Sequence, residues 1–377
     1  MRLRLKSFES VEKRGNNIDT KINRFSIHDF NLIIGDNAQG KSRLFRTLNF
    51  LTQLFKEKPG IIETDYFGKL IFEIQNSKGI EEVVYEITII PGNGENDYRE
   101  TVMRNGKTIY SSAKKLLFNE TAKKEVKNYF IPRNLPALSS INDPDFITIN
   151  LLRNFFQRIV HVDSNKSRDI TVSPKSMAPN GIGTDISSIL KNWEDAYPDA
   201  FNEVMNEFKQ CFPFIKKVDF TQKDFQGIMK ADLLTFDEEA VEGSILQTQW
   251  SDGIYRLLHL LITPKIPFTI NGERMPPSLI LVDEIENGLD FKRLKYIINY
   301  FQDYSDDSQI MISSHSPLVC DFAHPRDWIV VKRKGSELHF MSPDLREKDL
   351  DNQLDLFKHR HWDFYTRHIS NSKSYEG

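Results

Sequence analysis

Gly35-Asp36-Asn37-Ala38-Gln39-Gly40-Lys41-Ser42 reads G-x-x-x-x-G-K-S and follows the apolar run Asn31-Leu32-Ile33-Ile34. Glycines in such a loop let backbone N–H groups turn inward around phosphate oxygens, and the helix that follows presents its positive dipole end to the same anion. Lys41 is placed to reach the β- and γ-phosphates, and Ser42 to offer its hydroxyl to Mg²⁺. The motif needs a strand before it and a helix after it. Residues 42–51 supply the helix, with apolar side chains at helical spacing. The candidate nucleotide-binding set is Gly35, Asp36, Asn37, Ala38, Gln39, Gly40, Lys41, Ser42 and Arg43, and the implied ligands are ATP and Mg²⁺.

Composition bounds the rest. The chain has 377 residues, 27% charged and 39% hydrophobic, which fits one large or two ordinary globular domains. A net charge of -3 excludes a globally basic nucleic-acid-wrapping surface, though not local patches. The two cysteines, Cys211 and Cys320, lie far apart with no CxxC partner, which argues against a disulfide framework and a zinc site. The first residues lack the apolar core of a signal peptide, and no apolar run approaches the roughly 20 residues that cross a bilayer. The expected location is cytoplasmic, without a membrane partner.

The chain opens with an alternating segment, Leu3, Leu5 and Phe8 against Arg2, Arg4 and Lys6, the pattern of a strand. After the P-loop helix, residues 70–74, 83–90, 100–104 and 107–110 read as short strands divided by turn residues. Asn105-Gly106 is the clearest hairpin turn, so an antiparallel meander is expected. Residues 164–183, rich in Ser, Pro and Gly, read as a loop or lid. Residues 185–193 and 198–211 read as amphipathic helices, and 216–220 and 228–236 as strands.

Ser278-Leu279-Ile280-Leu281-Val282-Asp283-Glu284 is an apolar run ending in two acids, a Walker B pattern on a buried parallel strand. Asp283 is the candidate Mg²⁺ ligand beside Ser42, and Glu284 the candidate general base that polarises the attacking water. Alone, the run reads equally well as a strand with an acidic end; the P-loop gives it a partner. Lys41 and Asp283 lie nearly two thirds of the chain apart. Small GTPases and compact kinases do not accommodate this, whereas ABC-type ATPases, including the SMC and RecF groups, place a subdomain between the two motifs.

Three further segments fall in the order this class requires. Trp250-Ser251-Asp252-Gly253, opening an apolar helix, resembles the ABC signature, in which Ser251, Asp252 and Gly253 would bind the γ-phosphate of ATP held by another protomer. By itself it also reads as a plain N-cap. Asn287-Gly288-Leu289-Asp290 resembles the D-loop at the protomer–protomer contact. His315 ends the run Gln309–Ser314 and resembles the switch histidine that touches the γ-phosphate. Lys41, Glu284 and His315 form the candidate catalytic set. Gln157 is a candidate Q-loop residue or a surface helix polar residue.

Asp283-Glu284-Ile285-Glu286-Asn287-Gly288-Leu289, flanked by Trp250–Gly253 and Ser314-His315-Ser316-Pro317, resembles the "AAA" ATPases of the OLD-like and RecF-like, SMC-related branch over nearly the whole chain. The stretch 179–186 followed by 201–213 is similar to that group's central helical insert. Asp290 departs from the pattern, which commonly has His then Pro there, and Trp250 stands where Leu is usual. The resemblance implies an α/β fold: an ABC-type P-loop ATPase with a mixed central sheet, an antiparallel β-meander and a helical insert between the motifs. It divides the chain into 1–160 (Walker A and meander), 161–245 (insert), 246–335 (signature, Walker B, D-loop, switch histidine) and 336–377 (a C-terminal tail for partner docking). It also implies an ATP-dependent homodimer or higher oligomer and a separately encoded effector, a nuclease or toxin, in anti-phage defence.

The alternative is a RecF-like ATPase of DNA repair, for which Arg2/Arg4/Lys6, Lys114/Lys115, Lys123/Lys124 and Lys332/Arg333/Lys334 are candidate nucleic-acid contacts; charge runs are more often solvated faces. A transporter ATPase fits the motif spacing poorly. His359, His361 and His368 near the C-terminus read as a docking segment rather than a metal site.

Overall fold

The structure, a computed structural model, describes residues 2–35, 38–53, 62–77, 79–127, 129–163, 186–225, 229–239, 242–270 and 272–342. The expected lid at 164–183, Asp36, Asn37 and the C-terminal histidines lie outside these residues.

The first half runs β1 (Arg2–Arg14), β2 (Asn17–Ser26), β3 (Phe30–Ile34), α1 (Lys41–Gln53), β4 (Asp65–Asn76), β5 (Gly79–Pro91), β6 (Asn96–Arg104), β7 (Lys107–Ser111), β8 (Leu116–Asn119), β9 (Lys124–Glu125), α2 (Ala137–Ser140), α3 (Ile147–Gln157) and β10 (Ile159–Val162). The central part contains α4 (Ile186–Ala196), α5 (Pro198–Cys211), β11 (Ile215–Phe225), β12 (Met229–Glu238) and β13 (Ser244–Leu246). The remainder runs α6 (Asp252–Ile262), β14 (Phe268–Ile270), β15 (Glu273–Met275), β16 (Leu279–Val282), α7 (Phe291–Asp303), β17 (Gln309–Ser314), β18 (Trp328–Lys334) and β19 (Glu337–Met341).

Five strands in the order β10-β16-β17-β3-β18 are mutually parallel. The inner strands are buried on both faces, all four residues of β16, all six of β17 and all five of β3, which is why β16 reads as an unbroken apolar run. β19 pairs antiparallel with β18 and parallel with β2. It thereby joins the parallel block to the antiparallel run β2-β1-β4-β5-β6-β7-β8-β9 in one sheet of fourteen strands. The sequence reading left residues from 336 onward as a tail. Instead, Leu338 and Phe340 of β19 are buried in the core, so this strand is the seam of the sheet.

The meander follows the expected turns. Arg104 faces Lys107 across Asn105-Gly106, whose φ angles of 48° and 75° are the paired left-handed values of a two-residue hairpin. The insert is mixed rather than purely helical: α4 and α5 accompany an antiparallel sheet β11-β12-β13.

The parallel sheet separates two cores. On one face α1 buries Leu44, Phe45, Leu48 and Leu51 with α3 and the meander. On the other, α6 buries Leu257, Leu258, Leu260 and Leu261 with α4, α5 and α7. Each fully buried Leu or Phe contributes roughly 1.5–3 kcal/mol of transfer free energy. Gln309 ties β17 to β1 as a peptide group would: its Oε1 accepts from Leu5 N at 2.6 Å and its Nε2 donates to Leu5 O at 2.9 Å.

Candidate nucleotide-binding site

The motifs converge because parallel strands carry their C-terminal ends to one edge, where open α/β sheets bind ligands. Ser314 pairs with Ile34 and Val282 with Ile312. The residues following these strands, Gly35, Asp283 and His315, therefore stand side by side. β17 lies between the P-loop strand and the Walker B strand, and this order puts His315 between Lys41 and Glu284.

Lys41, first residue of α1, is 3% exposed. Its Nζ donates to Gly35 O at 2.5 Å and to His315 Nδ1 at 2.9 Å. His315 Nε2 stands 3.3 Å from Glu284 Oε1. The donor on Nδ1 leaves the imidazole hydrogen on Nε2, facing the carboxylate. Ser42 and Arg43 follow in the first turn of α1, Arg43 paired with Glu12 of β1.

The loop is seated on the hairpin of β18 and β19. Gln39 Oε1 accepts from Arg333 N at 2.7 Å. A Cβ on Gly40, whose φ is 103°, would lie 2.7 Å from Leu338 Cδ1; one on Gly35 would lie 2.9 Å from Val331 O. These glycines are needed for close backbone approach as well as for the turn. Ala38, also left-handed at 62°, completes the described part of the loop.

Asp283 is 7% exposed, and its Oδ1 accepts from Ser313 Oγ. The same hydroxyl accepts from Glu284 N at 2.9 Å. Glu284 has φ 49°, a left-handed conformation that costs a non-glycine residue about 1–2 kcal/mol. Asn287 Nδ2 holds its Oε2 at 2.6 Å. Such strain, fixed by surrounding bonds, is characteristic of functional sites.

Four contributors escaped the sequence reading. Ser313 orients both acids. Glu286 Oε1 accepts from His315 N at 2.6 Å and Ser316 N at 3.0 Å, fixing the backbone that carries the imidazole. Arg256 of α6, 2% exposed, donates to Asp283 O at 2.8 Å and Asp163 O at 3.3 Å, clipping together the ends of β16 and β10. Burial pushes its guanidinium down to about 10, against the carboxylates that surround it. Asp163 follows Val162, which pairs with Val282, so it lies beside Asp283. Its signal was partial: Ile159, Val160 and Val162 lead to Asp163 as an apolar run leads to Asp283, but His161 interrupts them.

Ser251 is the N-cap of α6, its hydroxyl accepting from Ile254 N at 3.4 Å, and Ser251 and Asp252 are exposed. Gly253 abuts residues 287–290, the expected D-loop, of its own chain so closely that a Cβ on it would lie 2.1 Å from Gly288 O. Gly288 is left-handed at 74°. Asp290 caps α7, accepting from Arg293 N at 3.0 Å; this bond holds its carboxyl below the ordinary range and gives the unexpected residue a structural task. Leu289 packs partly buried against the second core.

Gln157 lies elsewhere. It is the exposed last residue of α3, before β10 begins, at the sheet end away from Lys41. Of the basic runs, Arg4 bonds Ser305 O and Asp306 O and pairs with Asp29, Arg2 bonds Asp306 O, and Lys6 pairs with Glu73, so the run is engaged within the chain. Arg333 is turned back onto Gly335 O. No group of three or more His, Cys, Asp or Glu among the described residues could hold a metal ion by itself, and none of their helices is long and apolar enough to cross a membrane.

The arrangement fits Mg-ATP: a glycine loop pressed against backbone, a buried lysine amine, and an oriented carboxylate on one sheet edge. The solved structures agree in fold. The Smc head bound to the C-winged helix domain of ScpA superposes with a TM-score of 0.52 at 14% identity, over 92% of this chain and 99% of that one. The Smc head domain with an extended coiled coil, bound to the C-terminal domain of ScpA and derived from Pyrococcus furiosus, gives 0.50 at 12% identity, over 95% and 100%. No curated protein matches the chain in sequence. The family model described as "AAA domain, putative AbiEii toxin, Type IV TA system" matches residues 30–321, from the P-loop strand to beyond His315. With an SMC-head-like, ABC-type fold and that match over most of its length, the chain belongs to this AAA family.

Proposed function

We propose that this chain hydrolyses ATP in a dimer of two copies, and that a separately encoded effector, a nuclease or toxin, reads the cycle in an anti-phage or toxin–antitoxin setting in the cytoplasm. One observation carries the dimeric part. The two helix N-termini suited to phosphate, α1 behind the P-loop and α6 behind Ser251, pack on opposite faces of the same sheet. A phosphate held at Lys41 is therefore served by Ser251 and Gly253 of a second copy rather than of its own.

In this mechanism the loop N–H groups and Lys41 Nζ hold the β- and γ-phosphates, which requires Lys41 to release Gly35 O and His315. Ser42 and Asp283 would hold Mg²⁺, with Asp163 beside them; when bound, the ion neutralises charge on the phosphates. Glu284 accepts the proton of the attacking water at its carboxylate, and His315 Nε2–H, which faces Glu284 Oε1 at 3.3 Å, turns from it to donate to the γ-phosphate. The D-loop, Asn287 to Asp290, faces the second copy. The description of the matching family as a putative AbiEii toxin of a Type IV toxin–antitoxin system supports the toxin–antitoxin setting.

The test is Glu284→Gln. It keeps the size and left-handed backbone of the residue and removes the base. Hydrolysis should fall by about 10²–10⁴-fold, while ATP still binds and a dimer accumulates on size-exclusion chromatography. An unchanged hydrolysis rate would refute the role of Glu284, and a monomer with ATP bound would refute the shared site.

A further inference from the structure

Between residues 105 and 127 the chain carries six lysines and two glutamates, although its net charge is -3. The fold gathers the six on the outer edge of the sheet. Lys107 opens β7, Lys114 and Lys115 lie between β7 and β8, Lys123 and Lys124 lie where β8 turns into β9, and Lys127 follows β9. All six are exposed. Among the described residues none of them pairs with an acid.

The acids nearby are mostly engaged. Glu120 accepts from Arg104 at 3.1 Å and from Thr148 N and Oγ1 at 2.6 and 2.7 Å. Asp145 accepts from Asn119, and Asp143 from Asp145 N. Glu125 alone stands exposed among the lysines. Lys115 and Lys123 have φ of 49° and 54°. Turns of this geometry favour Gly or Asn, so lysine at both is not what the backbone selects.

The geometry points to a nucleic-acid-binding edge on this side of the meander, one that holds the phosphate backbone without reading sequence. β8 spans four residues, about 13 Å, so the two lysine turns are spaced to reach several successive phosphates of one strand. Lysine is a point charge, whereas base recognition uses Arg, Asn and Gln in bidentate pairs. Phe130, 86% exposed, follows the lysines and offers a face on which a base can stack. An acidic protein partner fits less well, because protein interfaces are depleted in Lys at their centres. Protection of a bare sheet edge, a common use of Lys, does not require charges in the turns, yet only Lys107 and Lys124 of the six lie within strands. Seven strands separate β7 from β3, so the edge is distinct from the nucleotide site.

The test is fluorescence anisotropy of the full chain with a labelled single strand of about 16 nucleotides and the matching duplex. Binding should be independent of sequence, with log K against log salt falling with a slope of about -4 for six contacts to a single strand. Replacing Lys114, Lys115, Lys123 and Lys124 together by Gln should flatten that slope by about 3 and weaken binding at least tenfold. The melting temperature and ATP hydrolysis should be unchanged, and the matching Lys→Arg variant should bind as the parent does. No binding at low salt, unchanged binding by the Gln variant, or competition by polyglutamate as strong as by unlabelled oligonucleotide would overturn the assignment.

Discussion

Lys41 Nζ donates to His315 Nδ1 at 2.9 Å, bridging the end of the P-loop and the end of the strand between it and Walker B. The opposite nitrogen faces Glu284 at 3.3 Å. The three side chains proposed for catalysis thus form one chain of contacts, and the proposed mechanism has the ATP phosphates take Lys41 from its first link.

His315 is expected to matter for turnover more than for binding. His315→Ala removes the donor that the proposed mechanism brings to the γ-phosphate and also frees Lys41. Turnover should drop by about 10²-fold, with nucleotide affinity unchanged or tighter. Steady-state hydrolysis beside a nucleotide titration reads the two effects separately; parallel losses in both would show that His315 serves binding instead.

Arg256 is expected to be a stability residue of the site. Arg256→Ala leaves Asp283 O and Asp163 O without their donor and opens a cavity in α6. A cost of about 3 kcal/mol or more follows from the unsatisfied groups and the lost packing, measurable by urea denaturation. A shift below about 0.5 kcal/mol would mean that water replaces the guanidinium.

The Gly253–Gly288 contact predicts that the proposed signature turn and the proposed D-loop move together. Gly253→Ala places a methyl 2.1 Å from a carbonyl oxygen and must push the first turn of α6 away from the D-loop. ATP binding at the remote P-loop should persist, while dimer-dependent hydrolysis falls and stability drops by about 1–3 kcal/mol. Wild-type turnover in a fully folded Gly253→Ala protein would separate the two loops functionally.

Glu100 gives a pH signature. Buried at 3% exposure, its carboxyl accepts from Ala137 N and, at 2.7 Å, from Tyr85 Oη, yet burial outweighs these bonds and raises it to about 7. A raised folded-state value favours the protonated form, so its contribution is complete below the ordinary value of about 4.5 and is lost as pH rises through about 7. Wild type should therefore lose on the order of 3 kcal/mol relative to Glu100→Gln between pH 5 and 8. Urea midpoints of the two proteins across that range check it, and parallel curves would contradict it.

Local chemistry made much of this site legible in the sequence. The P-loop, the acidic end of β16 and the histidine end of β17 each combine a short-range pattern with a strand, and strand burial on both faces writes itself as an apolar run. Arg256, Ser313 and Glu286 left no such mark. Each acts on a partner remote in sequence, and a single Arg in an amphipathic helix or Ser in a strand looks the same whether or not it holds a carboxylate. The charge of the β7–β9 edge was visible as lysines, but not that Arg4 and Lys6 are paired with acids, or that the six lysines of the edge pair with none among the described residues, Lys107 lying over the Phe118 ring.

By itself the sequence determined the ligand class, the order of the motifs and the meander, because a phosphate-binding turn, a buried strand and an Asn-Gly hairpin are encoded within a few neighbouring residues. Only the tertiary structure decided that β19 is a seam rather than a tail, that β17 sets His315 between Lys41 and Glu284, and that α1 and α6 lie on opposite faces of the sheet. Those relations depend on which strands pair across the whole length of the chain, a choice made by burying two cores at once.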